Sequence, residues 1–128
     1  MNNERMFLKC EICGNIVGMI ENAGPAIECC GQEMTELIPN TEDAAHEKHV
    51  PVIVRDGNVV EVSIGSVPHP MIEAHHICWV VLAGHHWTQR RMLNAGDPPV
   101  AVFSVATDDK LTAYAYCNLH GLWAAESE

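Results

Sequence analysis

Residues 50–64 read VPVIVRDGNVVEVSI, and this stretch decides the fold class of the chain. Two runs rich in β-branched residues, at 50–55 and 59–64, flank Asp56-Gly57-Asn58. β-Branched side chains favour strands, and Asp-Gly between two such runs is typical of a tight hairpin turn. The stretch therefore predicts a β-hairpin.

Further strand-like runs follow this hairpin. They cover residues 76–83, 87–93, 100–106 and 111–116, with turn-forming residues between them, and no stretch has an apolar stripe at helical spacing. Short strands at this spacing predict a β-sandwich.

Residues 6–9 and 15–21 predict short strands around glycine turns. A polar, proline-containing stretch at 39–43 predicts a linker, and hence two all-β domains at 1–38 and 39–128.

Composition and charge exclude several classes of partner. The 128 residues carry a net charge of −10 with only seven Lys and Arg, so a nucleic-acid partner is not expected. No apolar run reaches the ~20 residues that span a bilayer. The polar N-terminus is unlike a signal peptide, so we expect a cytoplasmic protein whose six cysteines are metal ligands or free thiols rather than disulfides.

Four of the cysteines lie close together in the first block. Cys10 and Cys13 have the two-residue spacing of a metal knuckle, and Cys29-Cys30 supplies a second pair. Adjacent cysteines reach one ion only if the backbone turns sharply, which Gly31 permits. So small a block cannot bury enough apolar surface to fold alone and needs a staple. The four thiolates therefore predict a tetrahedral site for zinc or a single iron.

A second set of candidate ligands lies in the other block, which holds all eight histidines. Cys117 and His120 again have the two-residue spacing, followed by Gly121. Upstream stand His49, His75, and His69 on a rigid Pro-His-Pro loop. Four imidazoles and one thiolate suit iron or copper, and a vacant sixth position would make such a site reactive. The remaining histidines (His46, His76, His85 and His86) are interpreted as surface or hydrogen-bonded core residues rather than ligands, and Cys78 as a small buried hydrophobe.

The order of these segments resembles desulfoferrodoxin, the two-iron form of superoxide reductase, over almost the whole chain. The cysteine motif of residues 10–30 is similar to a desulforedoxin-type centre. The segments EKHVP (47–51), GSVPHPM (65–71) and YCNLHG (116–121) are similar to the three signature segments of the catalytic domain. The resemblance implies a desulforedoxin-like domain followed by an immunoglobulin-like β-sandwich, and a homodimer.

The resemblance also implies roles for individual residues. The second, catalytic iron would be held by one thiolate and four imidazoles. These ligands are Cys117, His49, His69, His75 and His120. His120 would bind through one ring nitrogen, and the other three histidines through the other. Lys48 would be the cation beside the open position, and Glu47 the carboxylate that occupies it in the oxidised resting form. The reaction would be one-electron reduction of superoxide to hydrogen peroxide, with electrons from a rubredoxin-like donor.

Two departures and three alternatives accompany this interpretation. His76 stands where the family often has Trp, and His46 adds a second titratable group before the Glu47-Lys48-His49 segment.

The first alternative is a rubredoxin-like electron-transfer protein without superoxide chemistry. The second is a zinc-stapled binding module, and the third is a dismutase, which would oxidise superoxide as well as reduce it.

Overall fold

The computed structural model describes residues 6–42 and 48–127. The chain divides into two compact units, Met1–Ile38 and Pro39–Glu128. Within the described residues the regular structure consists of twelve strands and no α-helix, which confirms the predicted all-β class. No helix in these same ranges is long and apolar enough to cross a membrane.

The first unit is built from very short strands around turns. Three of them form an antiparallel sheet in the order β2-β1-β5, and the other two form a hairpin. Among its described residues, the buried cluster consists of Leu8, Cys10 and Met34, with the partly buried Met19 and Ile27 packed against it. This core is far too small to stabilise a unit of 38 residues without a further cross-link. The strands are β1 (Phe7–Lys9), β2 (Ile16–Gly18), β3 (Glu28–Cys29), β4 (Gln32–Glu33) and β5 (Thr35–Glu36).

The second unit is the predicted sandwich. One antiparallel sheet has the order β10-β7-β6 and the other β12-β11-β8-β9. The predicted hairpin is confirmed, because β6 and β7 pair from Pro51↔Ile64 to Asp56↔Val59. The strands are β6 (Pro51–Asp56), β7 (Val59–Ile64), β8 (Ile77–Ala83), β9 (Thr88–Met92), β10 (Val100–Ser104), β11 (Thr112–Cys117) and β12 (Gly121–Glu126).

The core of the second unit lies between the two sheets. Alternate residues point inward, so that β7 and β10 contribute Val60, Val62 and Phe103 and the facing strands β8 and β11 contribute Val80 and Ala115. Cys117 also belongs to this core and is fully buried at the end of β11. A ligand candidate is therefore fixed by the same packing that stabilises the sandwich.

Side chains close the edges of the sandwich. From β9, Arg91 Nη2 donates to Val102 O at 2.8 Å and Gln89 Nε2 donates to Ser104 O at 2.8 Å, so the carbonyls of edge strand β10 are paired. At the opposite edge, Asn40 forms a parallel bridge with Trp123 of β12. Asn40, which the sequence assigned to a linker, is thus docked on the second unit.

Candidate metal centres

The four cysteines of the first unit form one cluster. Their sulfur atoms all lie within 4.8 Å of one another. Cys13 Sγ is 3.7 Å from Cys29 Sγ, and Cys29 Sγ is 4.0 Å from Cys30 Sγ. These separations exceed the ~2.05 Å of a disulfide. They match the ~3.8 Å between two sulfurs that bind one ion tetrahedrally at ~2.3 Å. The cluster therefore fits a four-thiolate metal centre.

The Cys29-Cys30 pair converges because the backbone reverses there. Cys29 pairs with Gln32 across the β3–β4 hairpin, so Cys30 and Gly31 form a two-residue turn. Their φ angles are +56° and +73°, and positive φ at both central positions is the signature of a type I′ turn. Gly31 takes part in the turn, as predicted. Cys30 also adopts the left-handed conformation, which the sequence did not indicate.

Hydrogen bonds separate the acidities of these thiols. The Cys13 amide donates to Cys10 Sγ at 3.4 Å, and this bond with that of Ile12 lowers the pKa of Cys10 to about 6 against the opposing effect of burial. The thiols of Cys13 and Cys10, followed by that of Cys29, raise the pKa of Cys30 to about 12. Deprotonation of Cys10 is thus favoured, whereas deprotonation of Cys30 is disfavoured. A bound cation would favour deprotonation of both, because it stabilises thiolates.

The second cluster lies at one end of the sandwich. His49 lies two residues before β6, His69 and His75 lie in the connection from β7 to β8, Cys117 ends β11, and His120 lies in the turn from β11 to β12. Ligand atoms of His49, His69, His75 and Cys117 all lie within 4.8 Å of one another. His120 completes the group, because its Nδ1 is 3.2 Å from His49 Nε2 and 3.8 Å from Cys117 Sγ.

The four imidazoles form a closed ring of contacts. Successive ring centroids are 4.7 Å (His49–His69), 4.9 Å (His69–His75), 5.0 Å (His75–His120) and 4.9 Å (His120–His49) apart, and each pair is inclined by 60–84°. Two nitrogens that bind one ion at ~2.1 Å and at right angles would be ~3.0 Å apart. The 3.2 Å between His49 and His120 fits this arrangement.

Local contacts decide which ring nitrogen faces the cluster. His69 Nδ1 is 2.7 Å from Pro70 O, so it donates there and leaves the lone pair on Nε2. His120 instead turns its Nδ1 toward His49 and Cys117. His49 and His69 are only 3% exposed, whereas His120 is exposed, so solvent reaches the cluster from one side.

The other candidate residues have less defined surroundings. Lys48 directly precedes His49 and is half-buried. Glu47 and His46 lie outside the described residues. His76 Nδ1 donates to Ile72 O at 3.1 Å, and its Nε2 is 3.8 Å from Cys78 Sγ. Cys78 is half-buried, and burial raises the pKa of its thiol.

Two residues that the sequence did not single out contact the second cluster. The ring of Trp123 stacks on His49 at 4.5 Å and 11°, and its Nε1 donates to His120 O at 3.2 Å. Asn118 hydrogen-bonds to the backbone on both sides of His75. The signal that could have found them is adjacency: both lie within three residues of a candidate ligand.

Fold and sites together define a class: an all-β protein with two separate clusters of metal-ligating side chains. The family model described as desulfoferrodoxin matches residues 41–126, and that described as desulfoferrodoxin, N-terminal domain, matches residues 2–37. The chain belongs to the desulfoferrodoxin family.

Individual relatives match nearly the whole chain. A desulfoferrodoxin homolog of Archaeoglobus fulgidus is 47% identical over 115 residues, which cover 90% of this chain and 91% of the relative. A desulfoferrodoxin of Nitratidesulfovibrio vulgaris is 43% identical over 127 residues, covering 99% and 100%. The crystal structure of a superoxide reductase from Treponema pallidum superimposes with a TM-score of 0.81 at 32% identity, covering 97% of this chain and 99% of that one.

Proposed function

We propose that this chain is a superoxide reductase, which reduces superoxide by one electron and two protons to hydrogen peroxide. The observation that carries the proposal is the closed ring of four imidazoles beside the fully buried Cys117. Five ligands of this kind leave one position of an octahedral ion for a small anion. An electron-transfer protein of the rubredoxin kind would have no use for this second cluster.

The proposal assigns two mononuclear non-haem irons. Residues 1–38 would form the desulforedoxin-like domain, with the first metal on Cys10, Cys13, Cys29 and Cys30; zinc would fit this all-thiolate site equally well. Residues 39–128 would form the catalytic domain, with the second iron on His49, His69, His75, His120 and Cys117. A bound ferrous ion would supply the electron and the open position.

The surrounding residues would tune and serve this second centre. Cys117 lies in the sandwich core, away from water, where its thiolate would donate electron density to the metal and favour release of the product. Exposed His120 leaves a path for protons from solvent. We assign Lys48 to attracting the anion, and Glu47 to closing the open position in the oxidised resting form.

Partners and location complete the proposal. We propose a rubredoxin-like protein as electron donor, a homodimer as the assembly, and the cytoplasm as the compartment. Failure of a reduced rubredoxin to reduce the oxidised protein would exclude that donor. A monomer mass in sedimentation equilibrium would exclude the dimer, and recovery outside the cytoplasmic fraction would exclude the compartment.

Metal analysis and reaction stoichiometry test the main proposal. We expect two irons per chain and two distinct visible charge-transfer bands. Superoxide added to the reduced protein should yield hydrogen peroxide, with one oxidised second centre for each superoxide consumed and no dioxygen released by that reaction. Dioxygen release in catalytic amounts without an electron donor would identify a dismutase instead.

A pair of cysteine variants separates the two centres. Cys13→Ser should lose the first metal and retain most of the superoxide reactivity, because its sulfur belongs only to the first cluster. Cys117→Ser should retain the first metal and lose the reactivity. Loss of reactivity in Cys13→Ser with the second centre still loaded would contradict this division of roles.

A further inference from the structure

Asn118 connects the two segments that carry Cys117 and His75. It follows Cys117 directly, and three hydrogen bonds join it to residues on either side of His75. Its Oδ1 accepts from His76 N at 2.9 Å and its Nδ2 donates to Ala74 O at 3.0 Å. Its own backbone N–H donates to His76 O at 3.2 Å.

The segment around His75 has little regular structure to hold it. Ile72 and His75 form an isolated bridge through two hydrogen bonds of 3.0 and 3.1 Å, and β8 begins only at Ile77. Ala74 is exposed, so packing contributes little to fixing the turn. The hydrogen bonds within this segment include the 72–75 bridge and the one from His76 Nδ1 to Ile72 O, whereas those of Asn118 connect the backbone next to His75 to the end of β11.

The ladder between β11 and β8 is irregular at this point. Its register shifts between Tyr116 and Cys117, so that Cys117 pairs with Ile77. A bulge of this kind re-aims a side chain but leaves backbone groups without their regular partners. Beyond the bulge, the side-chain amide of Asn118 continues the hydrogen bonding between the two segments. It supplies one donor and one acceptor, as a backbone peptide group would.

We propose that Asn118 is a positioning residue for the second metal centre. Its side-chain amide fixes the peptide groups on both sides of His75 and thereby holds that imidazole at the distance from Cys117 at which both reach one ion. The inference rests on the proposed metal site, but it concerns the assembly of the site rather than the reaction. Both polar atoms of the amide are engaged by the backbone, so Asn118 is not itself a ligand.

Two variants of Asn118 distinguish positioning from mere packing. Asn118→Leu has a similar size and neither hydrogen bond. Asn118→Asp retains an acceptor for His76 N–H but turns a second oxygen toward Ala74 O. Its effect on the second centre should therefore lie between those of the wild type and Asn118→Leu. Asn58→Leu, in the exposed turn between β6 and β7, is the matched control for the chemical change.

The experiment measures iron release from each centre of the full-length, iron-loaded protein to a ferrous chelator under anaerobic conditions. Asn118→Leu should release the second iron 10- to 100-fold faster, as expected for loss of an outer partner of a ligand. The release rate of the first iron is the internal control and should not change. The charge-transfer band of the second oxidised centre should also shift, because the Cys117–metal geometry changes.

Stability measurements complete the test. Iron loading should raise the thermal midpoint of Asn118→Leu by less than that of the wild type or Asn58→Leu, because a ligand stabilises the fold according to its affinity. Wild-type release and an unshifted band in Asn118→Leu would overturn the inference. If that variant does not load iron, wild-type release in Asn118→Asp would overturn it instead. Superoxide reduction is assayed separately on the wild type, so a failure of the proposed reaction is distinguishable.

Discussion

At the scale of single residues, Trp123 is the side chain that contacts two of the candidate ligands at once. Its ring lies parallel to that of His49, and its N–H donates to the carbonyl of His120. Trp123 is nearly buried at 8% exposure and His49 at 3%, so the stacking contact is shielded from water. A rigid aromatic in this place restricts the orientation of the two rings whose facing nitrogens are 3.2 Å apart.

Replacing Trp123 by Phe should separate these two contacts. Phe keeps a ring to stack on His49 but loses the donor to His120 O, which costs about 1 kcal/mol of stability. We also expect faster iron release from the second centre. Trp87→Phe is the matched control, because Trp87 Nε1 donates to Thr107 Oγ1 at 3.2 Å, and Thr107 is not a candidate ligand. Unfolding in urea and chelator kinetics measure the two effects. Equal release rates in the two variants would contradict the role of Trp123.

The candidate ligands and their supports differ in how far the sequence reveals them. Cys10, Cys13, Cys29 and Cys30 are close in sequence, and spacing alone predicts their cluster. His49 and His120 are 71 residues apart, so only the resemblance to a family placed them together. Asn118 was missed because its hydrogen bonds reach across 42 and 44 residues, and side-chain to backbone contacts of that range leave no periodic signal.

At the scale of elements, Gly65 sets the approach of two ligand-bearing segments. It follows β7 with φ +85°, and its N–H donates to Val50 O at 3.2 Å. A Cβ at this position would lie 2.5 Å from Lys48 O and 2.6 Å from Val67 O. The segments before His49 and before His69 can therefore be this close only if residue 65 has no side chain.

We expect Gly65→Ala to destabilise the second unit more than Gly57→Ala. Both glycines have positive φ, which costs an alanine about 1–2 kcal/mol. At Gly57 a Cβ would meet nothing within 4 Å, whereas at Gly65 it meets two backbone oxygens, which adds about 1–3 kcal/mol of overpacking. Urea unfolding of the two variants measures the difference. Equal losses of stability in the two variants would show that the backbone conformation alone explains why residue 65 is glycine.

The strands show where local pattern suffices and where it does not. Runs of Val and Ile predicted β6 and β7, whose pairing needs only a short turn. β12 was not predicted, because its sequence GLWAAE contains no β-branched residue. It is a strand because every residue from Gly121 to Glu126 pairs with β11. β3, β4 and β5 are two residues each, too short for any period to appear.

At the scale of the whole molecule, the balance of charge opposes the proposed substrate. The chain carries 17 acidic residues against seven Lys and Arg, and a net charge of −10 repels an anion at long range. The proposed site must therefore attract the anion locally, through the metal ion and through Lys48, since the summed field of the protein acts in the wrong direction. Composition alone reveals this conflict, but it does not identify the cation that offsets the repulsion.

Removing the charge of Lys48 should slow the bimolecular reaction with superoxide by on the order of tenfold. The wild-type rate should fall with added salt because screening weakens a local attraction. Lys48→Ala should flatten this dependence because the weakened attraction is then offset by the repulsion from the net charge. Lys110→Ala is the matched control. It removes the same charge from an exposed residue whose Nζ is 3.9 Å from Glu126 Oε2. Pulse radiolysis over a range of ionic strength measures both variants. An unchanged rate in Lys48→Ala, or the same loss in Lys110→Ala, would show that attraction of the anion does not depend on the position of Lys48.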